Sequence, residues 1–146
     1  VGTPADVAGA GIVVCATNAR QPVFDGGLLA EQACVVAVGS HEPGARELDD
    51  AVFAQASRVV VEERSTALRE AGDVLGAIAA GVLDADQLVE LAQLVEPADL
   101  TEPAELVALG APRPGVSVFK SVGMGWQDLA VAEAAFAARF GRPGGG

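Results

Sequence analysis

Basic residues are scarce in this chain and histidine and cysteine nearly absent: nine Lys and Arg face 20 Asp and Glu, with one His and two Cys in 146 residues. A net charge of −11 argues against any role built on neutralising phosphates, because nucleic-acid affinity rests on Lys and Arg contacts. Nucleic acid and anionic membranes are therefore not expected as partners. No apolar run approaches the roughly 18 residues of a membrane span; the longest candidate, residues 74–83, lies between Asp73 and Asp84. Cys15 and Cys34 form no C-x-x-C pair. With one histidine they cannot assemble a usual zinc shell, so no metal is expected. Both cysteines sit in apolar runs and read as small core residues, which fits a reducing, cytoplasmic setting. The first residues carry neither a basic nor an apolar region of a secretory signal. They also lack an initiator Met, which predicts a start inside a longer gene product.

What is present is the composition of one folded domain: 51% hydrophobic and 20% charged. Four short β-branched apolar runs, residues 12–17, 34–38, 58–62 and 116–121, read as strands. Their continuous apolar character suits strands buried on both faces. Helical composition fills residues 27–32, 48–56, 65–80, 85–95, 103–109 and 126–140. In the last of these Leu129, Ala132, Phe136 and Phe140 make one apolar stripe that should pack against something large, with Trp126 as an anchor. Such alternation predicts an α/β fold around a parallel sheet. Residues 96–103 and 110–115 read as loops.

In an open parallel sheet, ligands bind beyond the carboxyl ends of the strands. That rule selects Thr17-Asn18, Gly39-Ser40-His41 and Ser121-Val122-Gly123, three strand ends predicted to meet on one edge. The small residues Gly39 and Gly123 would let a flat ligand approach the backbone, and amides at residues 123–125 could hold an anionic or carbonyl group. His41 reads either as a proton donor and acceptor near neutral pH or as a loop residue bonded to backbone. Glu47, Asp49 and Asp50 read as helix capping, and Glu62-Glu63-Arg64 as a solvated strand end. Lys120 either pairs with a carboxylate or extends into water. The dinucleotide fingerprint G-x-G-x-x-G is missing: Gly123-Met124-Gly125 lacks its third glycine and follows the last strand. No G-x-S-x-G elbow occurs.

Three motifs together carry a resemblance: Ala-Thr-Asn-Ala-Arg-Gln-Pro-Val-Phe from Ala16, Ala-Val-Gly-Ser-His-Glu-Pro-Gly-Ala-Arg-Glu-Leu-Asp-Asp from Ala37, and Val-Phe-Lys-Ser-Val-Gly-Met-Gly-Trp-Gln-Asp-Leu-Ala from Val118. In this order they resemble the ornithine cyclodeaminase / mu-crystallin family. The resemblance implies a Rossmann-like domain, incomplete here because the first βαβ unit with its glycine fingerprint is absent. Residues 1–140 would be its distal part with the C-terminal helix, and 141–146 a flexible tail. It implies NAD or NADP as cofactor and a small amino or cyclic imino acid as substrate. A homodimer is implied for the full-length protein. Thr17, Val38, Gly39, Ser40 and Ser121 would contact cofactor and Val122 substrate. His41 stands where the family's cyclodeaminases place a catalytic aspartate, and unlike aspartate it can protonate an imine. The implied activity is hydride transfer between nicotinamide and the substrate α-carbon, as in a ketimine reductase or cyclodeaminase. The alternative is a non-catalytic protein that binds NADP and a small ligand.

Overall fold

The computed structural model describes residues 2–95 and 114–141. Five strands form one parallel sheet: β1 (Ile12–Cys15), β2 (Cys34–Ala37), β3 (Ala56–Val61), β4 (Leu88–Glu90) and β5 (Val116–Lys120). Their order is β1-β2-β5-β3-β4, so the last strand enters the middle of the sheet. Among the described residues five α-helices accompany them: α1 (Asp50–Ala54), α2 (Arg64–Glu70), α3 (Gly72–Ala79), α4 (Leu91–Val95) and α5 (Gly125–Phe140). This is the expected α/β class.

The register explains which face is the core. Val13, Val35, Val118, Val59 and Leu88 pair in one row across all five strands, and every one is buried. The row of Cys15, Ala37, Lys120 and Val61 is buried too. Alternate strand residues share a face, and Val52, Phe53, Ala67, Val74 and Ala77 from α1 to α3 join these rows in a single cluster. The opposite face is less covered. Ile12 is 70% and Val14 63% exposed, which corrects the expectation that the first run is buried on both sides: β1 is an edge strand with one open face.

Other expectations change for identifiable reasons. The segment 85–95 is not one helix: a 3-10 turn, Ala85–Gln87, leads into β4 before α4 begins. Pairing of Leu88 with Val59 and of Val89 with Val60 captures these residues for the sheet. Residues 65–80 make two helices broken at Ala71, which caps the end of α2 and the start of α3 in extended conformation. The break lets Gly72 meet the turn before α1, where a Cβ would be caught between the carbonyls of Ala45, Glu42 and Pro43. The segment 27–32 holds only a 3-10 turn, Gly26–Leu28. Trp126 is exposed, as are Leu129, Phe136 and Phe140, so α5 presents its stripe outward rather than anchoring on the described residues. The expected helix at 103–109 and the tail at 142–146 lie outside the described residues.

These burial differences have measurable weight. Truncating a buried leucine costs about 2–5 kcal/mol, while surface changes stay within about 0.5 kcal/mol. In the 146-residue chain Leu88→Ala is expected to lower the unfolding free energy by the first amount and Leu129→Ala by no more than the second. Urea unfolding distinguishes them. Equal losses would contradict the placement of either β4 or α5.

Candidate functional site

Parallel pairing brings the carboxyl ends of all five strands to one edge. The tips of β1, β2 and β5 adjoin there: Val38 N–H donates to the Cys15 carbonyl at 2.9 Å and Ser121 N–H to the Ala37 carbonyl at 3.0 Å. Thr17, Gly39 and Ser121 thus stand on a common rim, as expected.

The groups that shape this rim were not those expected. Glu47 does not cap α1; Asp49 does, accepting from Val52 N–H at 3.1 Å and from Gly26 N–H at 3.0 Å. Glu47 turns inward and is fully buried. Its Oε1 accepts from the Thr17 N–H at 2.6 Å and hydroxyl at 2.8 Å, and its Oε2 from the Gly39 N–H at 2.7 Å and Ser40 N–H at 3.2 Å. One carboxylate therefore ties the tips of β1 and β2. Gly39 lacks a Cβ for this reason, since one would meet the Thr17 backbone and Glu47 Oε1. Its smallness lets the two tips pack closely.

Beneath lies a second buried pair. Lys120 Nζ sits 3.2 Å from Asp73 Oδ2, both side chains having no exposure. Lys120 also donates to the Ser40 carbonyl at 2.6 Å. Asp73 Oδ1 accepts from Glu47 N–H at 2.7 Å and Leu48 N–H at 2.8 Å, and the Ser40 hydroxyl lies 2.9 Å from Asp73 Oδ2. Of the two readings of Lys120, the carboxylate pair is the one found.

Glu62 plays the corresponding part at β5. It is no solvated end: it accepts from the Ser121 hydroxyl at 2.9 Å, the Val122 and Gly123 N–H groups at 3.1 and 3.2 Å, and the Gln127 amide at 2.6 Å. Met124 N–H is engaged by Gln127 at 3.1 Å. The amides of Gly123 and Met124 are therefore not an open anion cradle, and Gly123 is needed instead for its φ of +80°.

The remaining expected site residues divide into two groups. Ser40 is buried with its hydroxyl directed into the core, and the Thr17 and Ser121 hydroxyls face Glu47 and Glu62. Val38 and His41 are exposed, and Val122 packs partly against the core. His41 lines a pocket of about 220 Å³ between the β1 and β2 tips, with Asn18, Arg20, Glu42 and Ala45. Cys15, buried below, is no nucleophile: burial first, then the charges of Glu47 and Asp73, push its thiol up to about 11 despite Lys120. Among the described residues no cluster of His, Cys, Asp and Glu could hold a metal ion, and no helix is long and apolar enough to cross a membrane.

Sequence reading missed Glu47, Asp73 and Glu62. The signal available was Asp73, an acid inside the otherwise apolar stretch 71–78, where a buried charge requires a partner.

Burial raises the Glu47 pKa, but the hydrogen bonds from Thr17, Gly39 and Ser40 outweigh it and hold the carboxyl below its ordinary 4.5. Its contribution to stability is thus present above pH 4.5 and lost as pH falls through the lower folded value. Glu47→Gln places an amide against backbone N–H donors. It is expected to cost about 3 kcal/mol at neutral pH and to flatten the acid limb of a urea-midpoint profile. For the pair below, Lys120→Met leaves Asp73 buried without its countercharge and should cost about 3–5 kcal/mol. Adding Asp73→Asn should recover part of that loss in a double-mutant cycle. Additive losses would mean that the two charges do not interact.

The ornithine cyclodeaminase/mu-crystallin family model matches residues 2–138. A Δ1-pyrroline-2-carboxylate reductase of Colwellia psychrerythraea is 34% identical over 88% of this chain and 38% of its own. The mouse ketimine reductase mu-crystallin is 34% identical over 87% of this chain and 35% of its own. The structure of Thermococcus litoralis Δ1-pyrroline-2-carboxylate reductase in complex with NADH and L-proline superposes with a TM-score of 0.74 at 29% identity, over 97% of this chain and 42% of that one. The chain thus spans well under half the length of the proteins it matches. With the parallel sheet and the shared rim in place, the chain belongs to the ornithine cyclodeaminase/mu-crystallin family.

Proposed function

We propose that this chain contributes the nicotinamide-facing rim of an NAD(P)-dependent imino-acid reductase, with a cyclic imino acid as substrate and His41 as proton donor. The observation that carries the reading is the exposed His41, held in a pocket at the meeting tips of β1 and β2, in a chain whose relatives include named imino-acid reductases. Those names favour catalysis over a purely ligand-binding role.

The rim suits one end of the cofactor. Its engaged amides leave no cradle for a pyrophosphate at Gly39, Ser40 or Gly123. The exposed side chain of Val38 offers apolar surface to a flat ring. Thr17, Gly39, Ser40 and Ser121 would then act as the wall that fixes Val38 and His41, rather than as direct donors. When bound, the reduced nicotinamide supplies a hydride to the imine carbon. His41 delivers a proton to the imine nitrogen, so the C=N bond becomes a C–N single bond with one new hydrogen on each atom. Val122, beside the Ser121 tip, borders the substrate. Orientation by the buried Glu47 keeps the His41 turn in place, and a misplacement of about 1 Å can cost on the order of 10²-fold in rate.

The intact gene product is expected to oxidise NADH or NADPH when given Δ1-pyrroline-2-carboxylate, followed by loss of nicotinamide fluorescence. His41→Ala should lower kcat by about 10²–10⁴-fold while cofactor affinity stays unchanged. Tight ligand binding without cofactor oxidation would replace this reading with that of a binding protein. Unaltered turnover in His41→Ala would return His41 to a loop role.

A further inference from the structure

Both rim hydroxyls flanking the β2 tip have already committed their hydrogens. The Thr17 hydroxyl donates to Glu47 at 2.8 Å and the Ser121 hydroxyl to Glu62 at 2.9 Å. An ionised carboxylate only accepts, so the hydrogen in each contact comes from the hydroxyl. Each hydroxyl oxygen also receives one backbone N–H, from Ala19 at Thr17 and from Gly123 at Ser121, both at 3.2 Å. A hydroxyl oxygen has two lone pairs. What each position still has to offer is therefore one lone pair and no hydrogen, on an exposed Thr17 and a half-buried Ser121.

At β5 this polarity is imposed by Glu62. Its Oε1 takes the Ser121 hydroxyl and the Gln127 amide, and its Oε2 takes the Val122 and Gly123 N–H groups. Three of these four partners can only donate, so the group at residue 62 has to accept throughout. Glu47 imposes the same polarity at β1 through a different set of residues. The rim thus excludes phosphate oxygens twice over: its amides are engaged, and its hydroxyls have no hydrogen to give.

We propose that Glu62 is a positioning residue that fixes Ser121 as an acceptor, so that the β5 tip binds an N–H donor of the bound ligands and discriminates against a group without one. Two ligands of the reductase reading carry that chemistry: the cofactor through its carboxamide, and the imino or amino acid through its nitrogen. The inference rests on that reading for their identity. A site that pairs with one polarity rejects an analogue lacking it, because its own polar group is left unpaired.

Calorimetric titration of the intact gene product tests it with two pairs of probes. NADH is compared with its analogue bearing an acetyl group in place of the carboxamide. L-proline is compared, on the NADH-loaded protein, with tetrahydrofuran-2-carboxylate, whose ring oxygen replaces the N–H. The N–H member of one pair should bind about tenfold more tightly, as an unmade hydrogen bond implies, and the pair that shows the preference identifies the ligand at Ser121. In Glu62→Gln the new amide donates to Ser121 and turns its hydrogen outward, so that preference should vanish. Adding Gln127→Glu gives the amide at residue 62 a carboxylate partner again. The double variant should regain the urea midpoint of the parent while the preference stays lost, which separates polarity from mere placement of the tip. Equal binding within both pairs overturns the inference alone. A preference that persists in Glu62→Gln, or that returns with stability in the double variant, overturns it too. Binding of neither NADH nor L-proline overturns the reductase reading and the inference with it.

Discussion

The arrangement of the rim depends on one buried carboxylate. Glu47 is fully enclosed and accepts four hydrogen bonds from Thr17, Gly39 and Ser40. A charge removed from water is costly unless its lone pairs are satisfied, and here backbone donors from two separate strand tips supply that compensation. The interaction works in both directions: the amides need an acceptor as much as the carboxylate needs donors. Asp73 and Lys120 extend it downward. Asp73 holds the Glu47 and Leu48 amides while Lys120 holds the Ser40 carbonyl. The turn bearing His41 is thus suspended from α3 and β5, elements 32 and 79 residues away in the chain (Asp73 and Lys120 against His41). A buried ion pair is weak evidence for net stability, since well-packed apolar groups do as well. What it provides here is direction, because Lys120 and Asp73 can be satisfied only with Ser40 in its present place.

This design changes how the edge of the sheet meets a ligand. In open α/β sheets the amides beyond the strand ends commonly receive anionic groups. Here Glu47 and Glu62 have already engaged them at β1, β2 and β5. The rim is an internally satisfied wall, and what it leaves open is the side chains that project from it. Val38 offers apolar surface, His41 an imidazole and Arg20 a guanidinium, all exposed. Burial, and then the charges of Glu47 and Asp73, push the thiol of the underlying Cys15 up to about 11, so it packs as a small apolar residue.

The legibility of the sequence follows from the range of the forces involved. β2, β3 and β5 are readable because their β-branched runs are long enough to show a pattern. β4 is not, since Leu88-Val89-Glu90 is a strand only because β3 lies beside it. The break at Ala71 is also invisible locally: helix-forming composition continues through it, and the reason is the contact of Gly72 with carbonyls of residues 42–45. Glu47 was misread by the same logic. Three acids before a helix look like capping, and one of them, Asp49, does cap. Nothing local distinguishes Glu47 from its neighbours; the difference is made by Thr17, 30 residues earlier. The positions of the strand tips were legible, whereas the groups that hold them were not.

The final helix shows the limit of patterning in another way. Its stripe is real: Phe136 and Phe140 stand 4.9 Å apart between ring centroids, and the Arg139 guanidinium lies 5.1 Å from the Phe140 ring. Yet the aromatic and leucine side chains of that stripe remain exposed. The helix is positioned instead at its first turn, where Gln127 donates to Glu62 while its amide oxygen receives Met124 N–H. One glutamate just after β3 therefore fixes both the Ser121 tip and the start of α5. Among the described residues the helix is held by a polar contact at its first turn, while its apolar stripe is exposed. A periodic apolar pattern identifies a helix and the face it can bury; only tertiary contacts decide whether that face is what anchors it.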